Sequence, residues 1–118
     1  QKHPKIAWVN YPGLEGDKYH DLAQKYMPKG TCGVVTFGVK GGRKAAETFM
    51  AGLKLASIAT HVADAKTCVL HPASSTHRQL SEAELAAAGV SADLIRLSVG
   101  IEDITDILAD LEQALDQV

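Results

Sequence analysis

Apolar runs with the two-residue period of β-strands alternate along this chain with stretches that have the 3.6-residue period of α-helices. In "CGVVTFGVK", for example, Val35, Phe37 and Val39 share one face of a strand, and the residues between them share the other. Glycine or proline stands between most of these segments, as is usual at turns. This alternation predicts a β-sheet covered by helices. The strand-like runs are 5–13, 32–40, 67–71 and 93–100, with a shorter one after residue 57, and the helical stretches are 16–30, 43–55, 81–90 and 102–118.

The helical stretches carry signals for where they begin and end. Asp17 is a suitable N-cap for the first stretch, and Pro28 terminates it. In the third, Ser81 is followed three positions later by Glu84, which is the spacing of a capping box, and Gly89 supplies a terminator. The helices are spaced too irregularly for regular parallel crossovers, so the sequence favours an α+β fold with a mostly antiparallel sheet and helices on one face. The last stretch has one apolar stripe, made of Ile104, Ile107, Leu108, Leu111 and Leu115.

Length and composition restrict the classes of protein to which the chain can belong. Its 118 residues correspond to one domain, 1–118. A net charge of -2 argues against nucleic-acid binding, and no apolar run approaches the roughly 20 residues of a membrane-spanning helix. Two cysteines outside any CxxC spacing are typical of a reduced, cytoplasmic protein, although the sequence leaves a disulfide between them open. The chain opens "QKHPKIAWVNYPG" without a methionine, and we expect it to be part of a longer protein.

The segment "LIRLSVGIED" places a permanently charged side chain inside a strand-like run. Alternation puts Ile95 and Leu97 on one face of this strand, and Arg96 and Ser98 on the other. Most such arginines are solvated side chains on the exposed face of a sheet. The alternative is that this face lines a cleft in which Arg96 binds an anion. The pattern by itself leaves both interpretations open.

Three other motifs are weaker candidates for chemistry. The glycines of "FGVKGGRKAA" precede a helix but match neither nucleotide-binding spacing, so a tight strand-to-helix turn is the better interpretation. His61, His71 and His77 lie in one region without the spacing of a zinc site, and structural histidines are favoured. No nucleophile signature surrounds the serines of "HPASSTHRQL" or the cysteines, and turn-forming serines explain that loop.

Two segments together resemble one enzyme family. "LKLASIATHVADAKTCVLHPASSTHRQL" and "LIRLSVGIEDITDILADLEQAL" are similar to the C-terminal domain of the Cys/Met-metabolism enzymes that depend on pyridoxal 5'-phosphate (PLP), and the similarity extends over nearly the whole chain. Within that family, "HPKIAWVNYPG" and "TFGVKGG" are most similar to the O-acetylhomoserine sulfhydrylases. The resemblance implies an α+β domain packed against a larger PLP-binding domain in a homotetrameric enzyme. It also implies a small amino-acid substrate, O-acetylhomoserine, which sulfide converts to homocysteine and acetate.

The resemblance gives roles to three residues of this chain. Arg96, the arginine of "RLSVG", would bind the substrate α-carboxylate, to which a planar guanidinium can donate two parallel hydrogen bonds. Thr76 would support the arginine side of the same pocket. His61 stands where the gamma-synthases and lyases carry a serine beside the cofactor lysine, so the hydrogen bond of that serine is not carried over. The backbone of residues 60–62 is still expected to face the carboxylate.

The resemblance places the lysine that binds the cofactor upstream of this chain, in the larger domain. None of the lysines present lies in a matching motif, so no catalytic, cofactor-binding or metal-binding residue is expected here, and the chain alone is expected to be inactive. Two alternatives stay open. One is a cystathionine gamma-synthase or methionine gamma-lyase reaction in the same family. The other is a stand-alone, non-catalytic domain that binds small anions or a protein. The preferred sulfur nucleophile is not specified by these motifs.

Overall fold

Five β-strands form a single sheet at the centre of the computed structural model, which describes residues 1–118. The strands are β1 (Ile6–Asn10), β2 (Val34–Val39), β3 (Ser57–Ile58), β4 (Cys68–Leu70) and β5 (Leu94–Ser98). Their order across the sheet is β1-β2-β5-β4-β3. Only β3 and β4 pair in parallel, whereas the β1–β2, β2–β5 and β5–β4 pairs are antiparallel. The prediction of a mostly antiparallel sheet is therefore confirmed.

Four α-helices and a short 3-10 turn at Pro72–Ser74 complete the fold. The helices are α1 (His20–Tyr26), α2 (Gly42–Gly52), α3 (Glu82–Ala87) and α4 (Ile104–Leu115). The core lies between α2, α4 and one face of the sheet, as expected for an α+β layer arrangement. Phe37 of β2 meets Phe49 of α2 edge to face there, with ring centroids 5.7 Å apart. No helix has the length and hydropathy needed to cross a bilayer.

The local signals for two glycine-bounded helices are confirmed. The side chain of Ser81 accepts a hydrogen bond from the Glu84 amide, and the Glu84 carboxylate accepts one from the Ser81 amide, which completes the capping box of α3. Gly89 follows this helix with a φ of 73°. Gly41 and Gly42, with φ of 106° and 69°, make the turn from β2 into α2. Such angles favour glycine, which explains the glycine pair without any phosphate.

The predicted first helix is too long, and its predicted cap is wrong. A helix over 16–30 with Asp17 as N-cap was expected, whereas α1 begins only at His20 and Tyr19 is its N-cap. The Asp17 carboxylate instead accepts hydrogen bonds from the backbone amides of Tyr11 and Tyr19, at 3.1 and 2.9 Å. It therefore closes the connection between β1 and α1 through amides six and two positions away, and these local hydrogen bonds compete with helix capping.

Candidate functional site

Arg96 lies in the middle of β5, which is hydrogen-bonded on both sides. It pairs with Thr36 of β2 and with Leu70 of β4. Its neighbours Ile95 and Leu97 are buried in the core against α2 and α4. Because side chains alternate along a strand, Arg96 extends from the opposite face of the sheet. The alternation predicted from the sequence is confirmed.

The guanidinium of Arg96 is held by two backbone carbonyls. Its Nη2 donates to the carbonyl oxygen of Thr60 at 2.8 Å and to that of His61 at 3.4 Å. Its Nε is buried and has no hydrogen-bond partner. Leaving a buried donor unpaired costs on the order of 1–3 kcal/mol, and more for a charged group. Both partners are neutral, so the positive charge remains available to an anionic ligand.

The two carbonyls belong to a loop, residues 59–66, which we call the carbonyl loop. At its far end, the Ile101 amide donates to the Ala65 carbonyl at 2.9 Å. Beside this bond, the Glu102 carboxylate accepts from both the amide and the hydroxyl of Thr67, each at 2.7 Å. These hydrogen bonds hold the pKa of Glu102 below its usual value, and the one from the Thr67 amide has the largest effect. The residues after β5 thus fix the end of the carbonyl loop.

A buried carboxylate fixes the segment that leads into β3 and then into the carbonyl loop. Burial by itself would raise the pKa of Asp110, which is only 6% exposed, but its hydrogen bonds outweigh burial and lower that pKa. The donors lie 2.8–3.1 Å away, so the segment is tied to α4. They are the backbone amides of Lys54, Leu55 and Ala56 and the side-chain amide of Gln113.

The structure brings together two of the three residues to which the resemblance gave roles. Arg96 and His61 are in contact, but only through the His61 carbonyl, because the imidazole is exposed. Thr76 is exposed as well, and its hydroxyl pairs with His77 Nδ1 at 2.8 Å rather than with Arg96. Only the backbone of Thr60 was expected from the sequence to face the site, and its carbonyl oxygen makes the shorter contact with the guanidinium.

His71 has a structural role. Its ring is buried, Nδ1 lies 2.7 Å from Ser74 Oγ and Nε2 lies 2.8 Å from the Ala92 carbonyl. Both ring nitrogens are therefore occupied, which confirms the structural interpretation for this histidine. No group of three histidine, cysteine or acidic side chains is placed to bind a metal ion. Cys32 is exposed, Cys68 is buried, and both are free thiols.

Comparison with known proteins identifies the family. The family model of Cys/Met metabolism PLP-dependent enzymes matches residues 1–116. This chain belongs to that family. It is 51% identical over 119 residues to the O-acetyl-L-homoserine sulfhydrylase of Leptospira meyeri, an alignment that covers 100% of this chain and 27% of that protein. It is 52% identical over 116 residues to the homocysteine synthase of Schizosaccharomyces pombe, with coverage of 98% and 27%.

A second reaction also occurs among the relatives. The chain is 46% identical over 117 residues to the L-methionine gamma-lyase of Fusobacterium nucleatum subsp. polymorphum, covering 99% of this chain and 29% of that enzyme. Among solved structures, an O-acetylhomoserine (thiol)-lyase of Campylobacter jejuni has a TM-score of 0.89 and 40% identity. The alignment covers 98% of this chain and 27% of that protein, whose structure carries a pyridoxyl-lysine phosphate group. The chain thus spans about a quarter of the length of these relatives.

Proposed function

We propose that this chain is the substrate-carboxylate-binding domain of an O-acetylhomoserine sulfhydrylase, which makes homocysteine and acetate from O-acetylhomoserine and sulfide. About 50% identity to such enzymes along the whole chain supports the reaction. The observation that carries the role of the domain is the guanidinium of Arg96, which has a buried, unpartnered Nε and no acidic hydrogen-bond partner. The homotetramer that the resemblance implies and the cytoplasmic location that the two cysteines favour belong to the same proposal.

Arg96 is suited to bind the acid end of an amino acid. A guanidinium offers several N–H donors in one plane, and a carboxylate can accept two of them in parallel. Because Nη2 is already held by the Thr60 and His61 carbonyls, the plane of the group is set before a ligand arrives. The carboxylate would satisfy the remaining donors and neutralise the charge. In this way Arg96 orients the substrate, and Thr76 is proposed to line the same pocket.

Residues outside this chain are proposed to hold the cofactor. Pyridoxal phosphate, when bound to the full-length protein, supplies the electron sink that allows acetate to leave from the γ-carbon and sulfur to replace it. The lysine that would bind it is expected in the larger domain. Arg96 therefore contributes orientation, and not bond breaking, to the reaction.

The role of Arg96 can be tested by replacing it with alanine or lysine in the full-length protein. Removing one partner of a buried, hydrogen-bonded charge pair costs about 2–5 kcal/mol, so kcat/KM for O-acetylhomoserine should fall roughly 30- to 5,000-fold. Lysine should rescue little, since it cannot donate two parallel bonds from one plane. An unchanged kcat/KM in Arg96→Ala would refute the assignment.

Two controls make this test specific. Arg43→Ala removes an arginine in the first turn of α2 that also donates to a backbone carbonyl, that of Ala73. This change should alter kcat/KM less than threefold. The decarboxylated analogue of the substrate should react equally slowly with the wild type and with Arg96→Ala, because neither pair can form the carboxylate contact. A difference that persisted with this analogue would show that Arg96 acts on another group.

A methionine gamma-lyase reaction is a second candidate because of the 46% identity to the Fusobacterium enzyme. The two reactions differ in their products. Consumption of sulfide with O-acetylhomoserine supports the sulfhydrylase, whereas release of α-ketobutyrate from methionine supports the lyase. Binding of small anions without either reaction by the full-length protein would instead support a non-catalytic domain.

A further inference from the structure

Ser98 lies on the same face of β5 as Arg96, two positions further along the strand. Both side chains bind the carbonyl loop. Arg96 holds it at the carbonyls of Thr60 and His61, and the hydroxyl of Ser98 accepts a hydrogen bond from the Ala63 amide at 3.2 Å. Ser98 is only 2% exposed, so its side chain is shielded from bulk water. The loop is therefore held against β5 by two neighbouring side chains.

Ala63 has an unfavourable backbone conformation. Its φ is 59°, and it is the one residue other than glycine with a positive φ in the chain. A side chain with a Cβ adopts this region at a cost, and such strain persists only where surrounding contacts maintain it. The Ser98 hydroxyl binds the amide of this very residue. The contact that maintains the strained turn thus comes from the strand that carries Arg96.

The position of Ser98 is itself rigidly defined. Its backbone pairs with Val34 of β2 on one side and Cys68 of β4 on the other, so a central strand sets the place of the hydroxyl. The other anchors of the carbonyl loop are backbone hydrogen bonds, from Ala59 to Val69 and from Ile101 to Ala65. The Ser98 bond is made by a side chain, and it lies only two residues beyond His61. The two carbonyls that orient the guanidinium therefore lie between a backbone anchor at Ala59 and the side-chain anchor at Ala63.

We propose that Ser98 is a positioning residue for Arg96. By holding the turn at Ala63, the Ser98 hydroxyl keeps the Thr60 and His61 carbonyls directed at Nη2, and the guanidinium therefore presents its free donors in a fixed plane. Without the hydroxyl, Ala63 relaxes to a negative φ, the carbonyls move and the guanidinium loses its fixed plane. This inference rests on the proposed binding of the substrate carboxylate by Arg96.

The test uses the full-length protein, isolated with its cofactor, and the variants Ser98→Ala and Ser98→Thr. In Ser98→Ala, KM for O-acetylhomoserine should rise about tenfold while kcat changes less than threefold, because binding of the acid end is impaired. Ser98→Thr keeps the hydroxyl and should return KM to within threefold of the wild type. Hydrogen exchange of the amides in 59–66 should be faster in Ser98→Ala and normal in Ser98→Thr.

A second variant approaches the same contact from the loop. Ala63→Val leaves β5 untouched, but a β-branched residue is strongly disfavoured at a positive φ, so the turn should be lost. It should reproduce the rise in KM even if Ser98→Ala fails to fold. A wild-type KM and wild-type exchange in Ala63→Val would overturn the inference.

Combination with Arg96→Ala separates this inference from the proposed function. If Ser98 acts through Arg96, then Ser98→Ala should lower kcat/KM less than threefold further in the Arg96→Ala background. An equal loss in both backgrounds, or a wild-type KM in Ser98→Ala, would overturn the inference while the role of Arg96 stands. A wild-type kcat/KM in Arg96→Ala would instead refute the proposed function itself.

Discussion

Arg96 and Asp110 are charged side chains with buried polar atoms, but their hydrogen bonding differs. Asp110 accepts hydrogen bonds from three backbone amides and one side-chain amide of its own chain, so its charge is fully used in holding the fold. Arg96 has a buried donor with no partner and only neutral carbonyls around Nη2. A charge that the chain satisfies is structural, and a charge that the chain leaves unpaired is a candidate for binding a ligand.

The structural role of Asp110 makes stability depend on acid. Its pKa is lowered in the folded protein, so its contribution is complete at neutral pH. This contribution is lost as the pH falls from the usual value of about 3.9 through the folded pKa. We expect Asp110→Asn to lower the free energy of unfolding by about 2–3 kcal/mol at pH 7, because the amide presents a donor to backbone donors. The difference from the wild type should shrink below about pH 4.

Thermal unfolding of both proteins between pH 7 and pH 3 measures this effect. Asp116→Asn is a suitable control because its carboxylate is exposed at the end of α4, and its unfolding should follow that of the wild type. A constant difference between Asp110→Asn and the wild type over this range would contradict the prediction, since the contribution would not depend on ionisation.

At the residue scale, local pattern was sufficient to orient Arg96 but not to find its partners. The two-residue period of β5 determined its face correctly. Its contacts with Thr60 and His61 join positions 36 and 35 residues apart and depend on the carbonyl loop, which has no regular period. The position of Ser98, two residues after Arg96, was the available signal, but the strained turn that it holds has no sequence signature at Ala63.

At the scale of elements, an aromatic contact ties three strands together on one side of the sheet. Trp8 on β1 pairs with Gly38 on β2, and the indole Nε1 donates to the Asp93 carboxylate, just before β5, at 3.0 Å. A Cβ on Gly38 would lie 2.1 Å from Trp8 Nε1 and 2.1 Å from Asp93 Oδ2, so the indole crosses directly above the glycine. Glycine usually weakens a strand, and here it provides the space for this contact.

Gly38→Ala should therefore separate Trp8 from Asp93. We expect the free energy of unfolding to fall by about 1–3 kcal/mol, as for other overpacked sites. Because the chain has one tryptophan, urea unfolding followed by fluorescence reports both stability and the displaced indole. Gly33→Ala is the matched control, since a Cβ there would make an ordinary contact of 3.7 Å with the Val99 carbonyl. Equal stability of the two variants would contradict the prediction.

Helix ends were predicted well where the capping side chain binds the first turn of its own helix, and poorly where it binds the preceding loop instead. The capping box of Ser81 and Glu84 needs only four consecutive residues, and it forms as expected. Asp17 had a comparable local signal, but its carboxylate binds the amide of Tyr11 across the turn after β1. Helix α1 is shorter than predicted because Asp17 binds amides of the connection from β1 instead of capping the helix.

At the scale of the whole molecule, only part of the apolar stripe of α4 is buried. Ile107 and Leu115 are buried, whereas Ile104 and Leu108 remain 59% and 56% exposed. Leu108 lines an apolar groove of about 370 Å³ on the core side of the sheet, and Gln1 also lines it. Since Leu97 lines this groove too, it lies on the face of β5 opposite Arg96. The groove and the candidate site are therefore separate.

The proposal that residues outside this chain bind the cofactor predicts how the 118-residue chain behaves alone. Its lysines are exposed, apart from the half-buried Lys5, which donates to the Val118 carbonyl, and an exposed lysine lacks the desolvated site that makes a stable imine. The chain mixed with pyridoxal phosphate and passed through gel filtration should keep no visible absorption band and should not convert O-acetylhomoserine. The full-length protein, treated identically, should do both. A stoichiometric band retained by the chain alone would contradict the proposal, because it would place a cofactor-binding lysine among these residues.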